Sequence, residues 1–253
     1  MASVTERISQ IRQPYGGYVP PHRSSVTKMK DNRKLNYFEN IDHKIMESAV
    51  DCLIRYGTGC SAQEAFTAPL NGAALVRDSA NARDLLHSIR GLNDKAIKAA
   101  CKLAGYDIVC QAGTAHYHPV CKINPNEKTI RNIARMVNRG LAFWDEYGPI
   151  VKTGFSFEGG YSFVVTAGNG GYLTADTLWI ISTAKKKPTQ IHTLKLLMHY
   201  IMGQHSSDPA LHNVTWLGIF NPRLNAVYLM NISDINESVI EAVENDVICY
   251  GQH

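Results

Sequence analysis

Gly168-Asn-Gly-Gly171-Tyr-Leu-Thr-Ala-Asp-Thr-Leu-Trp179-Ile180-Ile-Ser182, followed by His192-Thr-Leu-Lys195-Leu-Leu-Met-His-Tyr, is the stretch whose reading decides the fold. The glycine-rich run 167–171 is a turn, since glycine and asparagine accept the backbone angles that turns need. Tyr172-Leu173 and Thr177–Thr183, rich in aromatic and branched residues, form a hairpin-like pair around Ala175-Asp176. Thr189 or Gln190 then starts a helix. Its apolar members Leu194, Leu197, Met198 and Ile201 recur at helical spacing, and Gly203 ends it.

On the C-terminal side, Thr215–Phe220 reads as a buried strand, turned back by Asn221-Pro-Arg-Leu-Asn225 into Ala226–Ile232. Ser233-Asp-Ile-Asn-Glu237 caps a final helix that runs to about Val247. On the N-terminal side, Gly154–Val165 alternates aromatic and small residues, among them Phe155, Phe157, Tyr161 and Phe163, and predicts a strand. Residues 127–147 predict a helix with Ile130, Ile133, Ala134, Val137, Leu141 and Trp144 inward. Arg131, Arg135 and Arg139, spaced by four, lie along one side of it.

Residues 41–110 are helical as well. Asp42 can N-cap a first run closed by Gly57, and Ser61-Ala-Gln-Glu64 is a capping-box pattern that opens a second, weakened at its end by Pro69 and Gly72. Two more runs cover about 79–90 and 94–104. Their join, Ile89-Arg-Gly91-Leu92-Asn-Asp-Lys-Ala96-Ile97, resembles a helix-hairpin-helix turn, in which backbone amides grip a DNA phosphate. Asn93 stands where that motif's second glycine falls, and an ordinary turn between packed helices accounts for the same residues.

The first 35 residues read as a basic extended arm. Val4, Ile8 and Ile11 share one face of a short helix, and Pro14-Tyr-Gly-Gly-Tyr-Val-Pro-Pro21 forbids regular structure. This arm carries seven Lys/Arg against two Asp/Glu, whereas residues 208–253 carry one against six. A basic arm suits an anionic partner, and equally the two ends could complement each other. The expected organisation is a basic arm (1–35), a helical region (36–126) and an α/β core with an acidic C-terminal helix (127–253).

Composition narrows the class. The 253 residues are 45% hydrophobic and 19% charged, which excludes a disordered chain or a coiled coil. No apolar run approaches the roughly 18 residues of a membrane span, and no signal-peptide core follows the start, so a cytoplasmic protein without membrane contact is expected. The six cysteines form no C-x-x-C pair, which points to reduced, mostly buried thiols. His116, His118 and Cys121 are the densest group of ligating types, but no matching second pair accompanies them and a polar loop is the simpler reading.

Helix, three strands, helix, strand, the order over about 127–220, is the core order of the PD-(D/E)XK nuclease superfamily. The chain resembles that superfamily, and residues 168–205 carry the likeness. The resemblance implies an α+β fold, with a helical N-terminal region followed by this core, an extra strand and a C-terminal helix. It also implies relatives in bacteria, phage or other mobile elements. In such nucleases two acidic groups on neighbouring strands hold Mg²⁺ against the scissile phosphate, and a lysine two residues along orients water. Here Gly171 stands at the first acidic position, Ile180 at the second and Ser182 at the lysine, while Lys195 stands at the helix glutamine. Restoring Asp, Asp and Lys at 171, 180 and 182 is then expected to create a divalent-metal site.

The resulting expectation is a non-catalytic nucleic-acid-binding protein, a pseudoenzyme with no catalytic residues, cofactor or metal. Lys185, Lys186, Lys187 and Lys195, extended by Arg131, Arg135 and Arg139, would hold DNA or RNA. A solvated lysine loop is the plainer alternative. Two further readings stay open. One is an inhibitor or decoy of a defence or nucleic-acid-processing machine, with residues 1–35 or the C-terminal helix as its protein-binding surface. The other is an active Mg²⁺-dependent nuclease with Lys195 as relocated lysine and Glu158, Asp176 and Glu146 as replacement ligands. The signatures of P-loop, α/β-hydrolase and zincin enzymes are absent from the sequence.

Overall fold

The structure, a computed structural model, describes residues 2–251 apart from the side chains of residues 111, 112 and 116. It is mixed α and β, and it divides into two compact units, Met1–Lys30 with Tyr147–His253, and Asp31–Glu146.

The chain opens inside the first unit. Strand β1 (Ala2–Ser3) leads into helix α1 (Val4–Gln10), whose start is a capping box between Ser3 and Glu6. After an irregular proline-rich stretch comes β2 (Ser25–Lys28). Residues 2–30 are therefore integral to this unit rather than an extended arm. Val4 and Ile8 are buried as the apolar face of α1, and Val19 and Met29, outside regular elements, are buried as well.

The second unit is helical: α2 (His43–Gly57), α3 (Ala62–Ala65), α4 (Thr67–Leu75), α5 (Ser79–His87), α6 (Asp94–Ala104), α7 (Asp107–Ala112) and most of α8 (Glu127–Tyr147). Asp42, Ser61 and Asn93 cap α2, α3 and α6 through their side chains. Helix α4 runs on through Pro69 and Gly72 instead of weakening there. Pro69 occupies its first turn, where a missing N–H leaves no bond unmade.

The first unit resumes with β3 (Lys152–Thr153), β4 (Val165–Ala167), β5 (Tyr172–Leu173), β6 (Thr177–Ile181), α9 (Gln190–Gln204), β7 (Trp216–Asn221), β8 (Ala226–Asn231) and α10 (Glu237–Ala242), which continues as a π-helical stretch, Val243–Ile248. Six strands form one mixed sheet in the order β2-β8-β7-β6-β5-β3, while β1 pairs separately with β4. Only β6 and β7 are parallel within the large sheet, and α9 is the crossover that this requires. The β5–β6 hairpin sets Tyr172 opposite Trp179 and Leu173 opposite Leu178.

Residues 154–164 do not form the expected strand. Gly154 and Phe155 still bond to Gly171 and Gly170, but beyond them no ladder continues: Gly160 N–H donates to the Phe157 carbonyl, Phe157 N–H to the Tyr161 hydroxyl and Ser162 N–H to the Val165 carbonyl. Phe157 is buried while Phe163 is largely exposed, so the aromatic spacing is not a two-residue alternation of faces. The core of this unit lies between the sheet and α9, with Leu178, Ile180, Leu217, Ile219, Leu194, Leu197, Met198 and Ile201 among its members.

Candidate nucleic-acid interface

Helix α9 returns antiparallel to β6, so its N-terminus sits at the carboxyl ends of β6 and β7. The loop 182–189 closes this end. Asn221 Nδ2 donates to the Ala184 carbonyl at 2.9 Å and Arg223 Nε to the Thr183 carbonyl at 2.6 Å, which ties the loop to the β7–β8 turn. Lys185, Lys186 and Lys187 stand exposed on it. The N-terminal proline-rich stretch reaches the same end. Thr193 Oγ1 on α9 donates to the Val19 carbonyl at 2.6 Å, and a Cβ on Gly17 would come within 2.6 Å of Gln190 Cβ. The carboxyl ends of parallel strands beside a helix N-terminus are where open sheets commonly receive ligands.

Ser182 and His192 meet here, with Ser182 Oγ 3.3 Å from His192 Nε2. The pair looks like a nucleophile and its base, but the tautomer forbids that role. Thr189 N–H donates to His192 Nδ1 at 3.1 Å, so in the neutral ring Nε2 carries the proton and is itself the donor to Ser182. The imidazole caps α9 and cannot accept the serine proton. The spacing Thr189-x-x-His192 is the sequence signal that could have found this cap.

The three motif positions do not outline an empty metal site. Gly171 has no room for a side chain, because a Cβ there would lie 2.3 Å from the Trp179 carbonyl oxygen. Ile180 is buried in the core and Ser182 is engaged as described. The expectation that acidic residues restored at 171 and 180 would bind a divalent ion is therefore corrected by packing. The rescue residues stand apart as well. The Glu158 carbonyl accepts from Ser206 and Ser207 just beyond the C-terminus of α9, and the Asp176 carbonyl accepts from Thr215 and Trp216 where β7 begins. Both belong to the end of the sheet opposite the α9 N-terminus, whereas Lys195 is in the second turn of α9. Glu146 belongs to the helical unit. Among the described residues no group of three or more His, Cys, Asp and Glu side chains could hold a metal ion. The His116 side chain of the sequence cluster lies outside the described residues.

Arg131, Arg135 and Arg139 are in the helical unit and do not form one exposed row. A spacing of four advances 400° on a helix of 100° per residue, so each arginine is turned about 40° from the last. Arg131 is exposed, Arg135 is half-buried and donates to the Lys34 carbonyl, and Arg139 is 5% exposed. Arg139 Nε lies 2.9 Å from Asp31 Oδ2, and its Nη2 donates to the carbonyls of Asp31 and Arg33. Arg33 and Arg139 together hold the Asp31 carboxyl well below the usual carboxylate range. Arg139 is thus a structural cation that pins residues 31–33. In the 89–97 turn, Gly91 takes φ +73° and Asn93 Oδ1 accepts from Ala96 N–H at 3.0 Å, so Asn93 caps α6.

The N- and C-terminal stretches meet within the first unit through backbone carbonyls rather than through paired charges. Arg7 Nε donates to the Val247 carbonyl at 2.8 Å and its Nη2 to that of Asp246 at 2.9 Å, while His205 Nε2 lies 2.6 Å from Glu244 Oε1. The apolar face of α1 is buried and is not free to receive a partner. No disulfide forms among the described residues: Cys52, Cys101 and Cys249 are buried, Cys110 and Cys121 exposed. Burial raises the Cys52 and Cys101 thiols far above neutrality, the latter to about 12, so neither is a reactive thiolate.

No protein-family model matches this chain, and neither a curated protein nor a solved structure is significantly similar to it. No helix among the described residues is long and apolar enough to cross a membrane.

Proposed function

We propose that this protein binds nucleic acid without cleaving it, on a scaffold that resembles a PD-(D/E)XK nuclease core without its metal site. The observation that carries the reading is the exposed Lys185–Lys187 loop, held at the carboxyl ends of β6 and β7 beside the N-terminus of α9. Three ammonium groups next to the positive end of a helix make a surface for a phosphate backbone, and no carboxylate of the motif positions repels it. Within the first unit the sheet order β3-β5-β6-β7, with an antiparallel meander, one parallel pair and α9 as its crossover, supports the scaffold, although the first strand is the short β3 and not the expected 154–165, and β4 pairs apart with β1. Nothing in the geometry favours the decoy or relocated-lysine alternatives over this reading.

A salt titration tests it. Binding of labelled single- and double-stranded DNA and RNA should weaken as salt rises. Changing Lys185, Lys186 and Lys187 together to Gln should make the slope of log K against log salt shallower by about 2, at roughly 0.7–0.9 per lost phosphate contact. An unchanged slope, or no binding at low salt, refutes the proposal.

A further inference from the structure

An open cavity of about 860 Å³ lies against the first turn of α9, and the proline-rich stretch forms most of its wall. Its lining combines one guanidinium (Arg12), two phenols (Tyr15, Tyr18) and two carboxamides (Gln13, Gln190). Arg12 is exposed and pairs with no carboxylate among the described residues. Tyr15 is 107% exposed, a large aromatic held wholly in solvent.

That exposure is built into the backbone. Gly17 N–H donates to the Pro14 carbonyl at 2.9 Å, and Gly16 takes φ +83°, as the third position of a type II turn requires. The turn is then locked onto α9 by the close approach of Gly17 to Gln190 and by the bond from Thr193 to Val19. Tyr15 is consequently presented by an anchored turn. Beneath it, the Gln13 amide oxygen is buried and has no hydrogen-bond partner. Native structures seldom leave such an acceptor unmade, and rotation about the terminal amide torsion, which has no sharp staggered wells, would turn it toward a donor in the cavity.

From this we infer that the cavity takes one unpaired base of a single-stranded nucleic acid. The base stacks on Tyr15 with Tyr18 alongside, its exocyclic amine is offered to the Gln13 carbonyl, and Arg12 meets the adjoining phosphate. Gln190, three residues beyond Lys187, links the cavity to the lysine loop, so the strand continues along Lys185–Lys187. Aromatic stacking accepts any base but needs it out of a duplex, which makes the site a reader of single strands. The inference rests on the nucleic-acid reading and adds to it the strandedness of the ligand.

The test compares parent and Tyr15→Ala by fluorescence anisotropy with a short labelled single strand of mixed sequence and a strand of the same length made of abasic phosphodiesters. Tyr15 touches solvent only, so the variant keeps the fold, which circular dichroism verifies. The expected result is a loss of about tenfold or more on the mixed strand, within the range of one lost base stack. The deficit should disappear on the abasic strand. Parent-like affinity of Tyr15→Ala for the mixed strand overturns the inference while leaving the lysine-loop reading intact. A parent that binds neither strand overturns both. A deficit of equal size on the two strands also overturns it, because Tyr15 would then be acting on the backbone and not on a base.

Discussion

A chain carrying Gly171→Asp, Ile180→Asp and Ser182→Lys together is expected to lose its folded sheet rather than gain a metal site. The first change fails on space. A Cβ at 171 would sit 2.3 Å from the Trp179 carbonyl oxygen and 3.4 Å from Ile180 Cα, and both are backbone atoms of β6. That backbone cannot yield, since Tyr172 and Leu173 are in register with Trp179 and Leu178, and β6 is paired on its other side along its whole length with β7. The second change fails on solvation. Ile180 is 7% exposed and packs in the cluster that includes Leu178, Leu194 and Leu197.

Exchanging that side chain for an unpaired carboxylate loses the packing of a buried isoleucine, about 2–5 kcal/mol, and adds the penalty of a buried charge or a shifted, protonated acid. The combined loss of more than about 5 kcal/mol reaches the stability of an ordinary domain. Far-UV circular dichroism and urea unfolding should show an unfolded or strongly destabilised chain, and Gly171→Ala alone should already lower the midpoint clearly. A triple variant with a parent-like midpoint that binds Mg²⁺ calorimetrically would show that the strand pairing described for β5 and β6 is wrong.

The second large effect is a loss of stability in mild acid that traces to His199. This imidazole, on the third turn of α9, is 1% exposed, and neither ring nitrogen has a hydrogen-bond partner among the described residues. Its ring lies 5.0 Å from that of Phe157. Burial, reinforced by the charge of Lys195 one turn earlier, holds its pKa well below the ordinary 6.5. The sign follows from proton uptake. Above pH 6.5 the ring is neutral whether the chain is folded or not, and it contributes no pH dependence. Below 6.5 the unfolded chain takes up a proton that the folded chain refuses, so stability falls by about 1.4 kcal/mol per pH unit until the folded pKa is reached.

The stability lost below pH 6.5 through this one group therefore grows steadily as the pH is lowered. His199→Leu should remove it. The variant should also match or exceed the parent at neutral pH, because two unmade hydrogen-bonding atoms leave the core with the ring. Urea midpoints of parent and variant across this range provide the measurement. Parallel pH profiles would mean that His199 titrates in contact with water and is not sealed beneath α9.

Much of the secondary structure was legible in the residues themselves. The caps at Asp42 and Ser61, the apolar rows of α8 and α9, and the short pair β5–β6 are local patterns, and local patterns survive in any compact context, whereas Asn93, which caps α6, reads in the sequence only as a turn position. Exposure of the three lysines was equally a local matter, since consecutive ammonium groups can hardly all be buried. What tertiary structure alone decided was pairing over long separations and the facing of individual side chains. Residues 25–28 became a strand only because Leu229 to Ala226, some two hundred positions later, offered an edge. Arg139 turned inward because the helix advances more than a full turn every four residues, and Asp31 was there to meet it. Glu158 and Asp176 were separated from Lys195 by the length of α9, a distance along the fold that sequence proximity conceals. Arg12, Tyr15 and Gln190 came to line one cavity because Gly17 could approach α9 where a side chain would have collided with Gln190.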